Sequence, residues 1–275
     1  DDFEHLGLHI SPDIDTVTYT LAGLNNPETG WGRRGETWVF MKALEQLGGE
    51  TWFSLGDGDL ATHVERTHLM AGGELLSSVT ATLAGRLGIS ANLLPMTDDK
   101  FRTTLETNEG RLAFQDYFVR LQSQPVVKYV AFDGLETAIP GAGVLAALSQ
   151  PDLRAIVVCP SNPFLSIDPI LAVPGIKEAI KASDAPVIGI SPLIGGQAVK
   201  GPTAKIMTEL SLPTTASNIV DHYDDLLDGL IIDEVDKDEV PNLPVPALSV
   251  QTLMRTLEDR EILARKVLEF ATSLY

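Results

Sequence analysis

The sequence has little cysteine and few basic side chains, and each shortage excludes a class of protein. Cys159 is its one cysteine, so no internal disulfide can form, and we expect a reducing, cytoplasmic compartment. Lys and Arg number 20 against 38 Asp and Glu, a net charge of −18 that argues against nucleic-acid binding, which needs clustered cations. No apolar run is long enough to span a membrane, and no cleavable signal pattern is present.

Familiar catalytic and nucleotide-binding motifs are missing as well. The chain lacks the GxSxG pattern of serine hydrolases and the spacings of the P-loop and of the GxGxxG dinucleotide loop. Of its five histidines, His63 and His68 are five residues apart, which is not the i, i+4 spacing that places two metal ligands on one helix face. Cys159 lies in an apolar segment and is predicted to be a core side chain.

The sequence does contain short apolar strands that alternate with helices. Helices are predicted at residues 36–47, 60–71, 76–87, 143–148, 176–182, 203–210 and 254–273, and strands at 91–94, 126–132, 155–159, 187–190 and 230–233. An Asn-Glu-Gly turn at 108–110 predicts a hairpin of 103–107 with 111–119. This alternation indicates a doubly wound α/β fold with a mainly parallel sheet, in one domain over 1–275 with a helix-rich insert or cap at about 25–99.

Polar loops follow two of the predicted parallel strands, where ligands bind in such sheets. The first contains Ser161, Asn162 and Ser166 between prolines, and it fits either a phosphate-binding loop or a proline-fixed turn with an Asn cap. The second contains Gly195 and Gly196, whose backbone can approach a ligand closely. Together the two loops favour a ligand site at one edge of the sheet.

Acidic residues are clustered near the start of the chain. Asp13 and Asp15 share one short segment, and carboxylates without basic partners suit a hard cation such as Mg²⁺. The alternative, favoured on these residues alone, is an Asp-rich N-cap that precedes a helix at 16–21. Trp31 lies in a glycine-rich loop beside two arginines, which favours ligand contact over a place in the core.

Taken together, these segments resemble the 2-phospho-L-lactate transferase family of coenzyme F-420 biosynthesis. The matching blocks run in family order: Ser11–Thr16 (SPDIDT), Gly30–Gly32 (GWG), Leu55–His63 (LGDGDLATH), Pro95–Asp99 (PMTDD), Phe114–Phe118 (FQDYF), Pro160–Pro163 (PSNP), Ser166–Ile170 (SIDPI), Val173–Ile176 (VPGI) and Ser191–Gly196 (SPLIGG).

The resemblance implies a Rossmann-like, Mg²⁺-dependent and usually dimeric transferase. Such an enzyme moves a phospho-three-carbon acid, phospholactate or phosphoenolpyruvate, from a guanosine diphospho-conjugate to the deazaflavin Fo and releases GMP. A metal on carboxylates also suits a −18 chain, because phosphoryl transfer depends on neutralising phosphate charge. Family members begin with a strand and a Gly-Gly-x-Gly-Gly loop, and we expect that segment to precede Asp1.

The resemblance also implies roles for particular residues. Asp13, with Asp1 or Asp2, is predicted to hold Mg²⁺, and Asp15 is either an alternate ligand or the group that orients the attacking hydroxyl. The diphosphate and guanosine are assigned to Ser161, Asn162, Ser166, Gly195 and Gly196, and the deazaflavin to Trp31, Asp57, Asp59 and His63.

Two other functions compete with the transferase. One is a nucleotide-sugar-binding regulator of the same superfamily that performs no turnover. The other is a metal-dependent phosphohydrolase, which would release GMP without Fo. The acidic blocks at 12–15 and 55–59 favour the enzyme that uses Fo.

Overall fold

A computed structural model of the chain describes residues 2–274, whose contacts group into two compact units. Unit 1 takes residues 2–105 with Arg111–Pro125 and Ala131–Val144. Unit 2 takes Glu106–Gly110, Val126–Val130 and 145–274. The prediction of one domain over 1–275 with an insert at 25–99 stays a prediction.

Unit 1 begins with a small hairpin and is otherwise mostly helical. Its first elements are β1 (Phe3–His5), β2 (Leu8–Ile10), α1 (Pro12–Leu21), α2 (Val39–Gln46), α3 (Asp57–Ala71) and α4 (Leu76–Arg86). The hairpin turns at Leu6 and Gly7, both at positive φ as a two-residue hairpin loop requires. Ile10 of β2 forms a core cluster with Met41 and Leu55. The hairpin and its pairing were not predicted.

Three further strands form a separate sheet in the order β4-β3-β5. Their bounds are β3 (Arg102–Thr107), β4 (Gly110–Ala113) and β5 (Val127–Asp133). The predicted second hairpin strand at 111–119 is too long, because Asp116–Arg120 forms a π-type helical turn. Phe114 stacks on Phe118 with ring centroids 5.4 Å apart, a helical i, i+4 pairing that an extended strand could not make.

Unit 2 is built on a four-stranded parallel sheet in the order β11-β10-β7-β6. The elements that follow β5 along the chain are α5 (Val144–Leu148), whose first residue belongs to unit 1, and then β6 (Ile156–Val158), α6 (Asp168–Ala172), α7 (Ile176–Lys181), β7 (Val187–Ile190), β8 (Leu193–Ile194), β9 (Gln197–Ala198), α8 (Thr203–Glu209), α9 (Ala216–Tyr223), β10 (Gly229–Ile232), β11 (Ala247–Ser249) and α10 (Leu257–Ser273). Helix α10 packs Leu263, Val267 and Ala271 against Ile188 and Ile231 of the sheet. The predicted α/β fold with a mainly parallel sheet is thereby confirmed.

Two predictions about individual segments are wrong. Residues 91–94 form no strand, since Ala91, Asn92 and Leu94 are exposed and Pro95 follows, which cannot donate a ladder hydrogen bond. Cys159 is exposed, not buried, because β6 is an edge strand among the described residues. No helix within residues 2–274 combines the length and apolar character needed to cross a membrane.

Candidate active site

The first candidate cluster lies where helix α3 meets helix α1 in unit 1. Asp15 and Tyr19 are four residues apart on α1, and Asp59, His63 and Arg66 follow an i, i+4, i+7 spacing on α3. Residues at these spacings share one helix face, so each helix presents a single polar face to the other. Asp15, His63 and Arg66 are each at most 4 % exposed.

Arg66 and Tyr19 hold the two carboxylates of this cluster. The Arg66 guanidinium donates from Nη1 to Asp15 Oδ2 at 3.1 Å and from Nη2 to Asp15 Oδ1. The Tyr19 hydroxyl donates to Asp59 Oδ1 at 2.6 Å. Both oxygens of Asp15 and one oxygen of Asp59 are therefore bound by protein donors.

The His63 ring lies between the Arg66 guanidinium and the Asp59 carboxylate. Its Nδ1 lies 3.2 Å from Arg66 Nη1, and its Nε2 lies 3.1 Å from Asp59 Oδ2. A guanidinium can only donate, so this contact with Nδ1 is a hydrogen bond when the ring proton is on Nε2, although Nε2 itself is buried and makes no hydrogen bond to the described residues. The cluster thus brings together two carboxyl groups, one guanidinium and one imidazole.

The carboxylates of Asp15 and Asp59 have opposite pKa shifts. Burial raises the pKa of Asp15 above its ordinary value, although the Arg66 guanidinium acts against this. Burial also acts to raise the pKa of Asp59, but the contacts from His63 and Tyr19 outweigh it and leave that pKa below its ordinary value. Burial and the neighbouring carboxylates raise the pKa of the Tyr19 hydroxyl, which therefore remains a donor.

Asp15, Asp59 and His63 resemble a metal site in composition but do not fit one. Their ligand atoms lie within 4.8 Å of one another. Asp15 is, however, already bound by the Arg66 guanidinium through both of its oxygens, and the Nδ1 of His63 lies against the same guanidinium. Mg²⁺ moreover prefers oxygen ligands. We therefore assign no metal to this cluster.

The residues predicted to hold Mg²⁺ lie elsewhere in unit 1. Asp1 is outside the described residues. Asp2 is 2.9 Å from the Nε2 of His9, a contact that uses one of its oxygens, and Asp13 is exposed in the first turn of α1. Burial acts to raise the pKa of Asp2, but the His9 hydrogen bond and nearby positive charges lower it below its ordinary value, so the carboxylate is ionised. Within residues 2–274, Asp2 and Asp13 belong to no three-residue cluster of metal-ligating atoms.

Residues 56–59 take part in two crossed helix caps, in which a carboxylate at the start of each helix, α2 or α3, caps the other helix. Asp57 accepts from the backbone N–H groups of Val39 and Phe40, both at 3.0 Å, and so caps α2. Glu36, just before α2, accepts from Gly58 N at 2.7 Å and Asp59 N at 2.9 Å, and so caps α3. A Cβ on Gly56 would lie 2.3 Å from the Glu36 carboxyl carbon, so the glycine makes this approach possible. The Asp57 carboxylate thus has a structural role that the assignment to the deazaflavin did not include.

Trp31 lies outside the core, at 60 % exposure. Its loop is fixed by Arg33, which donates to the Gly58 carbonyl at 3.0 Å and lies over the Tyr19 ring at 5.4 Å. The loop is therefore tied to the start of α3, on which Asp59 and His63 lie. The deazaflavin contact of Trp31 stays a prediction.

In unit 2, Asn162 follows β6 at the carboxyl edge of the parallel sheet. Its side-chain oxygen accepts from Phe164 N at 3.0 Å and Leu165 N at 3.1 Å, and its main-chain carbonyl accepts from Ser166 N. Its side-chain nitrogen is buried and has no hydrogen-bond partner among the described residues. A buried amide donor without a partner costs about 1–3 kcal/mol, so this nitrogen indicates an acceptor supplied by a ligand or water.

Gly195 and Gly196 form the two-residue turn between β8 and β9. Their φ values of 59° and 69° are those of a tight hairpin turn. The Gly195 N–H already donates to the Asp236 carboxylate, 3.0 Å from each oxygen. The glycine pair is thus explained by the turn, and its predicted contact with the diphosphate stays a prediction.

Two sets of interacting residues were not predicted from the sequence, one in each unit. Arg66 and Tyr19 could have been found from the helix spacing, since they lie three residues after His63 and four after Asp15. Asp168 lies 2.8 Å from the Nε2 of His222, a contact across 54 residues of sequence that no local pattern indicates.

Comparisons with known proteins agree over most of the chain. The family model described as 2-phospho-L-lactate transferase CofD matches residues 1–247. A phosphoenolpyruvate transferase of Streptomyces coelicolor is 40 % identical over 280 residues, covering 98 % of this chain and 87 % of the relative. A 2-phospho-L-lactate transferase of Methanocaldococcus jannaschii is 36 % identical over 271 residues, covering 97 % and 86 %.

A solved structure supports the fold alone. A UPF0052-family protein of Bacillus halodurans superimposes with a TM-score of 0.57 at 18 % identity, covering 90 % of this chain and 81 % of that chain.

Proposed function

This chain belongs to the 2-phospho-L-lactate transferase CofD family, phospho-transferases of coenzyme F-420 biosynthesis, and we propose its specific reaction from that premise. It transfers a phospho-three-carbon acid from a guanosine diphospho-conjugate to the deazaflavin Fo and releases GMP. The Fo ribityl hydroxyl attacks the phosphorus that bears the acid, the bond from that phosphorus to the GMP oxygen breaks, and the hydroxyl proton is lost.

The observation that carries the donor half of this proposal is the unsatisfied amide of Asn162. Its oxygen fixes the loop, and its buried nitrogen requires an acceptor such as a phosphate oxygen. Ser161 and Ser166 are half-buried in the same loop and supply hydroxyl donors. We assign the diphosphate and guanosine to this loop, with Gly195 and Gly196 as further candidates.

Mg²⁺ is proposed to bind Asp13, with Asp1 or Asp2. Hard carboxylate oxygens match this ion, and the exposed position of Asp13 and the lowered pKa of Asp2 agree with that use. When bound, the ion neutralises the charge on the transferred phosphoryl group. Trp31, Asp59 and His63 remain candidates for contact with the deazaflavin. Asp57 contributes to this part of the site indirectly, because its carboxylate caps helix α2.

The acid transferred is proposed to be phosphoenolpyruvate. The support is that several relatives at 38–40 % identity, among them those of Streptomyces coelicolor and Thermobifida fusca, are named phosphoenolpyruvate transferases. The 2-phospho-L-lactate transferase of Methanocaldococcus jannaschii is 36 % identical. We also propose that the active protein is a homodimer.

The test is a turnover assay with Mg²⁺, Fo and each guanylated three-carbon acid, followed by chromatography of GMP and the deazaflavin product. We expect GMP only when Fo is present, and fastest with the enolpyruvyl donor. GMP without Fo would identify a phosphohydrolase. Tight nucleotide binding without any turnover would identify a regulator and contradict the proposal.

A further inference from the structure

Arg66 is the most completely buried cation that the structure describes, and its contacts go to two separate segments of unit 1. Besides Asp15 on α1, its Nη1 lies 3.4 Å from the main-chain carbonyl of His9, the middle residue of β2. The next residue, Thr67, accepts from His9 N at 2.8 Å. Helix α3 thus holds the backbone of His9 on both its N–H and its carbonyl.

Each of these two segments contains a proposed Mg²⁺ ligand. The His9 ring holds the carboxylate of Asp2 at 2.9 Å. Asp13 lies two residues before Asp15 in the first turn of α1, where the Asp15 N–H donates to the Ser11 carbonyl at 2.9 Å. Asp2 is therefore connected to Arg66 through the backbone and ring of His9, and Asp13 lies on the same first turn of α1 as Asp15, which Arg66 binds.

We propose that Arg66 is a positioning residue that fixes the spacing of the Asp2 and Asp13 carboxylates, an inference that rests on the proposed function. A planar guanidinium reaches two carboxylate oxygens and a carbonyl in one fixed geometry, whereas an ammonium on a flexible stem cannot. Stability alone gives little reason for the pair, since a buried ion pair is often no more stable than apolar side chains of the same volume.

The test compares Arg66→Lys with the matched control Arg86→Lys. Arg86 forms an exposed ion pair with Glu65, the neighbour of Arg66 on α3, so the control perturbs the same helix from its outer side. Mn²⁺ binding is measured by electron paramagnetic resonance without substrates, alongside turnover and thermal unfolding. We expect Arg66→Lys to weaken Mn²⁺ binding and lower kcat by about ten- to a hundredfold, as for other groups that orient metal ligands. KM for the guanylated donor and the thermal midpoint should stay close to those of Arg86→Lys.

Unchanged Mn²⁺ binding and kcat in a folded Arg66→Lys protein would overturn the proposal. If that variant does not fold, the double variant Asp15→Asn with Arg66→Gln is measured, because it leaves no unpaired buried charge. Weakened Mn²⁺ binding by the folded double variant supports the positioning role, and wild-type binding overturns it. Failure of both to fold would show a purely structural role and would also overturn it.

Failure of the proposed function gives a different result. If the wild-type protein releases no GMP with any donor, the transferase proposal has failed. Mn²⁺ binding needs neither donor nor Fo, so its comparison between the variants still tests Arg66.

Discussion

The α1–α3 cluster of unit 1 and the strand-end loops of unit 2 satisfy their polar groups in different ways. In unit 1, side chains distant in sequence bind one another, as Arg66 binds Asp15 across 51 residues. In the loop after β6 in unit 2, Asn162 instead binds nearby backbone, since its side-chain oxygen accepts from Phe164 N and Leu165 N. The first arrangement fixes whole helices relative to each other, while the second shapes a loop and leaves the Asn162 nitrogen unsatisfied.

This difference predicts that variants of the α1–α3 cluster change turnover, whereas variants of the strand-end loop change nucleotide binding. Buried charges that bind one another suit positioning, because Asp15 and Arg66 are held by each other, although His63 Nε2 and Arg66 Nε make no hydrogen bond to the described residues. A loop with an unsatisfied donor suits binding, because a ligand can complete it.

The largest expected effect comes from breaking the unit 1 cluster. Arg66→Met leaves the buried Asp15 carboxylate without its cation and should lower the free energy of unfolding by about 3–5 kcal/mol. Urea unfolding measures this loss. The control Arg86→Met breaks an exposed pair and should cost at most about 1 kcal/mol. Equal losses in the two variants would contradict the importance of the buried cluster.

Asp13→Asn should separate chemistry from folding. We expect about a hundredfold loss of turnover, by analogy with lost charge stabilisation in other active sites, with the thermal midpoint unchanged. The exposed Asp152 offers a matched control, and Asp152→Asn should retain wild-type turnover. Near-wild-type turnover of Asp13→Asn would remove this residue from the mechanism.

The crossed caps at the start of α2 and α3 can be tested with two glycines. Gly56→Ala places a Cβ against the Glu36 carboxyl group and should cost about 1–3 kcal/mol. Gly85→Ala, in helix α4 with open space around the new Cβ, should instead stabilise by about 0.4–1 kcal/mol. Chemical denaturation of both variants is the measurement, and a neutral Gly56→Ala would show that Glu36 does not need this close approach.

The smallest expected effect is on acid stability. Because the pKa of Asp59 is lower in the folded protein than its ordinary value, its contribution is fully present above about pH 4 and is lost as the pH falls through the lowered pKa. Asp59→Asn should therefore flatten the fall in unfolding free energy over this acid range. Parallel denaturation curves from pH 7 down to pH 2 would check it, and an unchanged slope would show that Asp59 is not ionised in the cluster.

Local contacts were predictable from the sequence and distant ones were not. Strand 187–190 was predicted with its observed bounds because four consecutive apolar residues are flanked by polar or turn residues. The Asn162 cap was one of two stated alternatives, since it reaches only two and three residues along the chain. Asp15, Asp59 and His63 were each selected as candidates, but their contact with Arg66 depends on how α1 meets α3.

Short strands escaped prediction for a related reason. Phe3–His5 and Ala247–Ser249 have three residues each, too few to display an alternating pattern, and their pairing partners supply the hydrogen bonds that define them. Helix α9 was missed although Thr215 caps it and its buried residues keep the helical i, i+3, i+4, i+7 spacing: Ala216, Ile219, Val220 and Tyr223.

Nucleotide binding tests the central distinction between the two regions most directly. Asn162→Asp keeps the capping oxygen but replaces the unsatisfied nitrogen with a second oxygen that repels phosphate. Isothermal titration with GMP should show about tenfold weaker binding by Asn162→Asp, while Asp13→Asn and the exposed control Asn242→Asp bind as the wild type does. Wild-type affinity in Asn162→Asp, or a loss of GMP affinity in Asp13→Asn alone, would contradict the assignment of the nucleotide to the strand-end loop.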